Sequence, residues 1–171
     1  GIAYVIPPAS FAKRGQRIRL PEDIESSKTA ACLDLSTLFA ACFEHAGLNS
    51  IIAVTEGHAC CGVWLIDECF SLLTNDDPMD LRKRLAAKDI VLFETTLATS
   101  DSHVSFADAI ESAERLLSEQ SEENFVYAID IRQARHRNIR PLPSRRSQAG
   151  EQPIEPIDIL ITPMSAPVLP P

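Results

Sequence analysis

Residues 32–66 read CLDLSTLFAACFEHAGLNSIIAVTEGHACCGVWLI, and the change of period inside this stretch decides the fold. In its first half Leu33, Leu35, Leu38, Phe39, Cys42 and Phe43 give a broad apolar helical face. Thr29 is the expected N-cap, and Gly47 is the natural stop after His45–Ala46. Cys32 then lies in the first turn, on the core side of the helix end. Residues 49–55, around SIIAVT, are rich in β-branched side chains and read as a strand. Glu56–Gly57 is a short turn, and 58–66 read as a second strand, so a hairpin is predicted. Period two puts His58, Cys60, Gly62 and Trp64 on one face and Ala59, Cys61, Val63 and Leu65 on the other. Both faces are apolar, which predicts a central strand covered on both sides.

Outward from this core the elements alternate. TNDDPMDLRKRLAAKD predicts a turn and a helix at about 78–88, with Asp76 or Asp77 as cap and Pro78 at the first helical position. IVLFETTL at 90–97 reads as a strand. SFADAIESAERLLSEQ at 105–120 reads as an amphipathic helix with Phe106, Ala109, Ile110, Ala113, Leu116 and Leu117 on one side. Ser105 and Asp108 have the spacing of a capping box at its start. NFVYAIDI at 124–131 is a last strand. Residues 1–27 read as mostly irregular, because Pro7, Pro8 and Pro21 interrupt any regular element. No internal repeat is present. Eight of the twelve prolines fall in 141–171, which divides the chain into a domain over 1–140 and a Pro-rich linker or tail over 141–171. Within that tail IDILITP, at 157–163, is apolar enough for a short strand docked on this domain, a neighbour molecule or a following domain.

Three residues carry chemistry. Cys32 opens a helix, His58 starts the apolar run HACCGVWLI, and Glu94 closes the apolar run IVLFE. The thiolate is the nucleophilic form of cysteine, and a helix N-terminus or a nearby imidazolium lowers the thiol pKa. The helix start supplies partial positive charge and free backbone N–H groups, which also suit the oxyanion of a tetrahedral intermediate. A His would take and return the proton, and a carboxylate would fix its tautomer and orientation. Buried alone, Glu94 would be costly, so a partner such as His58 is physically motivated. Cys32 read by itself is equally a small buried hydrophobe, and His58 by itself a structural His beside a turn.

The string ACLDLSTLFAACFEHAGLNSIIAVTEGHACCGVWL, followed by IVLFETTL, resembles the transglutaminase-like superfamily of papain-like thiol enzymes. In that family a Cys heads a helix, a GHA-type His begins a strand, and an Asp-Pro-Thr-type acid ends the next. The stretches YVIPPASF, GQRIRLPEDI, CLDL, EGHACCGVWL, LFETTL and AIDIRQARHRNIRPLP are most similar to the transglutaminase-like segment of large bacterial helicase-type proteins. The resemblance spans about residues 3–143. Thr-Ala-Ala stands before Cys32 where a Gly-Thr turn is commoner, and Glu94 replaces the usual Asp, adding one methylene of reach. The resemblance implies Cys32 as nucleophile, His58 as base and Glu94 as orienting acid. Gln16 is the upstream candidate for a side-chain oxyanion donor. Thr95 and Thr96 either support the acid by hydrogen bonds or are ordinary strand threonines. Trp64, on the period-two face of His58, either walls the cleft or packs in the core. Asp34 reads as a first-turn acid favoured by the helix dipole.

Bulk properties narrow the field. The 171 residues suffice for one domain with a real core and a tail. Hydrophobic residues at 45% and charged residues at 23% are ordinary for a globular protein. A net charge of −8 disfavours a broad nucleic-acid surface. The exception is the basic cluster Arg132, Arg135, Arg137, Arg140, Arg145 and Arg146, which reads as a solvated or interdomain face, with nucleic acid reached only through neighbouring domains. No apolar run has membrane-spanning length and no secretory signal is visible. Starting at Gly1, the chain reads as a piece of a longer protein. Five cysteines without a framework spacing suggest free thiols in a reducing, cytoplasmic setting. Cys60, Cys61 and Cys69 lack the paired spacing of a zinc site, so neither metal nor cofactor is expected. His45, His103 and His136 read as surface residues.

The expected fold is thus α+β, transglutaminase-like or papain-like, with the nucleophile helix packed on a mostly antiparallel sheet. Two functions fit. One is a cysteine-dependent acyl-transfer enzyme acting on a protein or peptide, by hydrolysis or transamidation. The other is a non-catalytic interaction or regulatory module of a multidomain bacterial helicase-type protein.

Overall fold

The computed structural model describes residues 1–6, 18–100 and 104–142. Their architecture is α+β. A five-stranded antiparallel sheet contains β3 (Ser50–Thr55), β4 (His58–Trp64), β5 (Thr74–Asn75), β6 (Ile90–Phe93) and β7 (Phe125–Asp130), in the spatial order β5-β7-β3-β4-β6. A separate parallel pair joins β1 (Ala3–Tyr4) to β2 (Thr29–Ala30). The helices are α1 (Pro21–Ser27), α2 (Cys32–His45), α3 (Pro78–Ala87), α4 (Phe106–Leu116) and α5 (Ile131–His136), with 3-10 turns at Thr95–Thr99 and Glu119–Asn124. No helix among the described residues is long and apolar enough to cross a membrane.

The hairpin forms as its sequence requires. Thr55 pairs with His58 across Glu56–Gly57, and Gly57 takes a positive φ of 71° that favours a residue without Cβ. β4 lies between β3 and β6, and its side chains alternate between two apolar clusters. Cys60 and Trp64 join Ile51, Leu81, Ile90 and Leu92 on one face. Ala59 and Cys61 join Ala40, Ile52 and Phe93 on the other, under Phe39 and Phe43 of α2. The helix α4 runs past the β6 edge, giving Ala109 to the second cluster and Ala113, with the following Leu117, to the first. Covering that edge removes an open row of backbone groups. Gly62 is required by packing: a Cβ there would lie 2.3 Å from Leu92 Cδ2 and 2.4 Å from the Val91 carbonyl.

Several boundaries differ from the sequence expectation, each for a local reason. The second hairpin strand ends at Trp64, and Leu65 and Ile66 are exposed beyond it. The strand expected over 90–97 stops at Phe93, where Glu94 caps the 3-10 turn by accepting the Thr96 N–H. Thr29 is not the cap of α2. It pairs in β2, and Ala31 occupies the cap position, its N–H accepted by Asp34 three residues on. Pro21 starts α1 rather than interrupting structure, because proline at the first helical position loses no hydrogen bond. The helix expected over 105–120 ends at Leu116, and the last strand yields at Asp130 to α5, whose start Asp130 caps through Gln133 N–H. Asp77 caps α3 and Ser105 caps α4 with the Asp108 box, as their spacing predicts. The proposed strand at 157–163 lies outside the described residues.

Candidate active site

The register of the sheet brings a His and a carboxylate together. Cys61 pairs with Phe93 and Gly62 with Leu92. Continued toward the hairpin, that register sets His58 level with Thr96, just where the chain leaves the sheet. Glu94 turns back across this gap, and its Oε2 lies 2.5 Å from His58 Nε2. Its other oxygen accepts both the Thr96 backbone N–H at 2.8 Å and the Thr96 hydroxyl at 2.7 Å. Both carboxylate oxygens are therefore engaged, although Glu94 is only 7% exposed.

Helix α2 is pinned over this pair one turn inside its start. Ser36 donates to the Ala59 carbonyl at 3.1 Å and shares a hydrogen bond of 3.2 Å with the buried Thr95 hydroxyl. Ser36 is four residues past Cys32, on the same helix face, so the clamp sets Cys32 against the beginning of β4. There its thiol comes close enough to the His58 ring for each group to shift the other's pKa. With Nε2 engaged by Glu94, Nδ1 is the ring nitrogen left to serve the sulfur. The segment entering the helix is held from behind. Asp34, fully buried, accepts the Ala31 N–H at 2.9 Å, the Arg19 N–H at 2.8 Å and the Arg19 guanidinium at 2.8 Å.

Charge follows from this wiring. Burial pushes the Cys32 thiol up, but the hydrogen bond and charge of His58, with backbone hydrogen bonds from Ala59 and Leu33, outweigh it and leave the thiol below its ordinary value. The bond to Cys32, then the bond to Glu94, raise His58 to about 10, against the opposing effect of burial. Burial also pushes Glu94 up, and His58 with the two Thr96 donors brings it below the usual carboxylate range. All three directions favour thiolate, imidazolium and carboxylate together. Cys60 and Cys61 show the contrast. They too are buried, without such partners, and burial raises both thiols, Cys61 to about 12.

Other sequence-derived candidates fall elsewhere. Trp64 is not part of the site. It lies six residues along β4 from His58, roughly 20 Å at strand rise, is 3% exposed, and donates its indole N–H to buried Asp130 at 3.0 Å while packing on Phe70. Thr95 does not support the acid directly; it faces Ser36, and the neighbouring Thr96 holds Glu94. Gln16 lies outside the described residues. His45 and His136 are exposed, and His103 lies outside the described residues. In the basic cluster Arg132 pairs with Asp67 at 2.7 Å and Arg135 pairs with Glu44 through both of its forks, at 2.5 and 2.6 Å. Arg145 and Arg146 lie outside the described residues. Among the described residues no three His, Cys, Asp or Glu side chains are grouped to hold a metal ion.

The sequence reading took Asp34 only as a first-turn acid favoured by the dipole; its spacing, three residues after the cap position, is half of a capping box and signalled its part in holding the helix entry. Tyr4 escaped the sequence reading altogether. It arrives through the β1–β2 pairing, in which Tyr4 stands opposite Ala30, and burial, then the nearby Cys32 and Glu94, raise its phenol pKa. Compared with protein-family models, curated proteins and solved structures, the chain gives no match.

Proposed function

We propose that the chain is a cysteine-dependent acyl-transfer enzyme of transglutaminase-like, papain-like design, acting on an amide or isopeptide carbonyl of a protein or peptide. The observation that carries this reading is the His58–Glu94 pair, held at its far end by Thr96 and set beside Cys32, whose thiol it brings below the ordinary value. The Cys32 thiolate attacks the carbonyl carbon, forming the S–C bond and moving the π pair onto oxygen. As the tetrahedral intermediate collapses, the C–N bond breaks and the imidazolium of His58 gives its proton to the departing amine. Water, or a second amine, then attacks the thioester. Neutral His58 takes the proton of that nucleophile, and the thiolate leaves, which restores the ion pair. Glu94 keeps Nε2–H directed at itself and so keeps Nδ1 on the sulfur side. The acid in place beside His58 supports this reading over a non-catalytic module.

The test is the pH dependence of Cys32 alkylation by iodoacetamide. Cys42 is exposed and Cys69 partly exposed, so the Cys32 peptide is read separately by mass spectrometry. The expected result is an apparent pKa below the free-thiol value of about 8.5, lost in His58→Ala, where burial is no longer outweighed. The acyl-transfer rate should also fall at high pH as His58 loses its proton near 10, because the leaving amine then has no acid. A Cys32 that titrates as an ordinary thiol in both proteins overturns the reading.

A further inference from the structure

We propose that Tyr4 is a further catalytic residue of this site, its phenol O–H being the side-chain donor that receives the acyl oxygen when Cys32 attacks. The inference rests on the thiol-enzyme reading above. Its ground is the placement of β1. Ala3 N–H donates to the Lys28 carbonyl at 2.7 Å and Val5 N–H to the Ala30 carbonyl at 3.0 Å. These two rungs tie Tyr4 to the strand that runs directly into Ala31 and Cys32. The other side of β1 lies against the turn Thr95–Thr99 that follows Glu94. The backbone thus holds Tyr4 between the strand that leads into Cys32 and the turn that follows Glu94, close enough to both groups for them to raise the phenol pKa.

The groups that lower the Cys32 pKa lie in the body of the domain: the His58 ring, Ala59 on β4 and Leu33 on the helix start. Tyr4 is 41% exposed, so it borders the sulfur where a substrate enters. Formation of the S–C bond moves the negative charge from sulfur to the carbonyl oxygen, two bonds away. A donor standing on the open side of the sulfur is then beside the oxyanion. A phenol suits this role because it donates without carrying charge. Its partial burial, and then the nearby thiolate and Glu94, reinforce that state by keeping Tyr4 protonated. Preorganised donors of this kind act strongly because they need no reorientation during reaction.

The experiment compares two reactions of the same sulfur in wild type and Tyr4→Phe, a change that keeps the ring and its packing. Alkylation by iodoacetamide displaces iodide and creates no oxyanion. Acylation by p-nitrophenyl acetate forms a tetrahedral oxyanion, then a thioester, and releases p-nitrophenolate. Both are read at Cys32 by mass spectrometry, and the released p-nitrophenolate by absorbance. The expected result is a loss of acylation rate of about 100-fold, the scale for removing one oxyanion donor, with alkylation changed less than about fivefold. An equal fall in both reactions makes Tyr4 only a thiolate stabiliser, and a rise in both makes it a cover; either overturns the proposal. If wild-type Cys32 is neither acylated nor alkylated with a depressed pKa, the thiol-enzyme reading itself fails and takes the Tyr4 role with it. Normal wild-type behaviour with an unaffected Tyr4→Phe removes the Tyr4 role alone.

Discussion

Glu94→Gln should damage the site more than Glu94→Ala, although it changes fewer atoms. The reason is the Thr96 backbone N–H, 2.8 Å from Glu94 Oε1. A backbone N–H can only donate, so the amide oxygen of Gln must take the Oε1 place. The Thr96 hydroxyl, at 2.7 Å from the same atom, can rotate and does not reverse this choice. The amide NH2 is then driven toward His58 Nε2, which must become an acceptor. An imidazolium, with N–H at both ring positions, meets another donor there. The neutral ring carrying its proton on Nδ1, against the thiol, is favoured instead.

The lost bond is charge-assisted, and such bonds contribute roughly 1.5–3 kcal/mol. At about 1.4 kcal/mol per pKa unit, His58 falls by about one to two units and the reactive ion pair loses about 10- to 150-fold in stability. The donor–donor conflict adds to this in Gln and is absent in Ala, where water can turn to suit either ring state. The assay is Cys32 alkylation by iodoacetamide at pH 6 and at pH 9.5. At pH 6 the order of rates should be wild type, then Glu94→Ala, then Glu94→Gln. At pH 9.5, where the thiol ionises with less help, the three should converge, which separates an electronic effect from misfolding. Equal rates for wild type and Glu94→Gln at pH 6, or a Gln variant faster than Ala, would refute the reasoning.

Three further outcomes follow from the packing. Gly62→Ala forces a Cβ into the Val91 carbonyl at 2.4 Å, backbone that cannot move aside without breaking the β4–β6 ladder; a loss of about 3 kcal/mol or more is expected, read as a lowered urea midpoint. Asp34→Ala strands the Ala31 and Arg19 N–H groups and the Arg19 guanidinium, and should cost about 3–5 kcal/mol by the same measure; a loss under about 1 kcal/mol would contradict the hub role given to this carboxylate. Trp64→Phe removes the indole bond to Asp130 and should cost about 2 kcal/mol, yet leave the Cys32 alkylation profile unchanged, since the side chain lies far along β4; a shifted profile would return Trp64 to the site.

What could be read from the sequence was local. The hairpin needs only Glu56–Gly57 between two apolar runs, and its Thr55–His58 pair closes as expected. The caps at Asp77 and Ser105 need only neighbours two or three residues away. Longer-range partners left no such mark. Trp64 was assigned by strand period to the face of His58, but the buried Asp130, 66 residues on, gives its indole a partner in the core. Period two says which face a side chain takes and nothing about how far along the strand it sits. Tyr4 reaches the thiol through a parallel pair of two residues, too short to show any periodicity.

The site itself combines both kinds of information. Cys32 and His58 each mark an element's start, and Glu94 stands just past the end of β6, positions visible in the sequence as changes of pattern. Their meeting depends on register. A shift of β6 by one residue against β4 would turn Glu94 to the other side of the sheet edge and leave its carboxylate buried without His58. Gly62 is what permits the close approach of Leu92 that fixes this register. The same residue that makes the core fit therefore also aligns the acid with the base, and the Gly62→Ala variant should lose the depressed Cys32 pKa along with stability. If stability falls while the alkylation profile survives, the alignment is set by the Ser36 clamp to Ala59 and Thr95 rather than by the β4–β6 ladder.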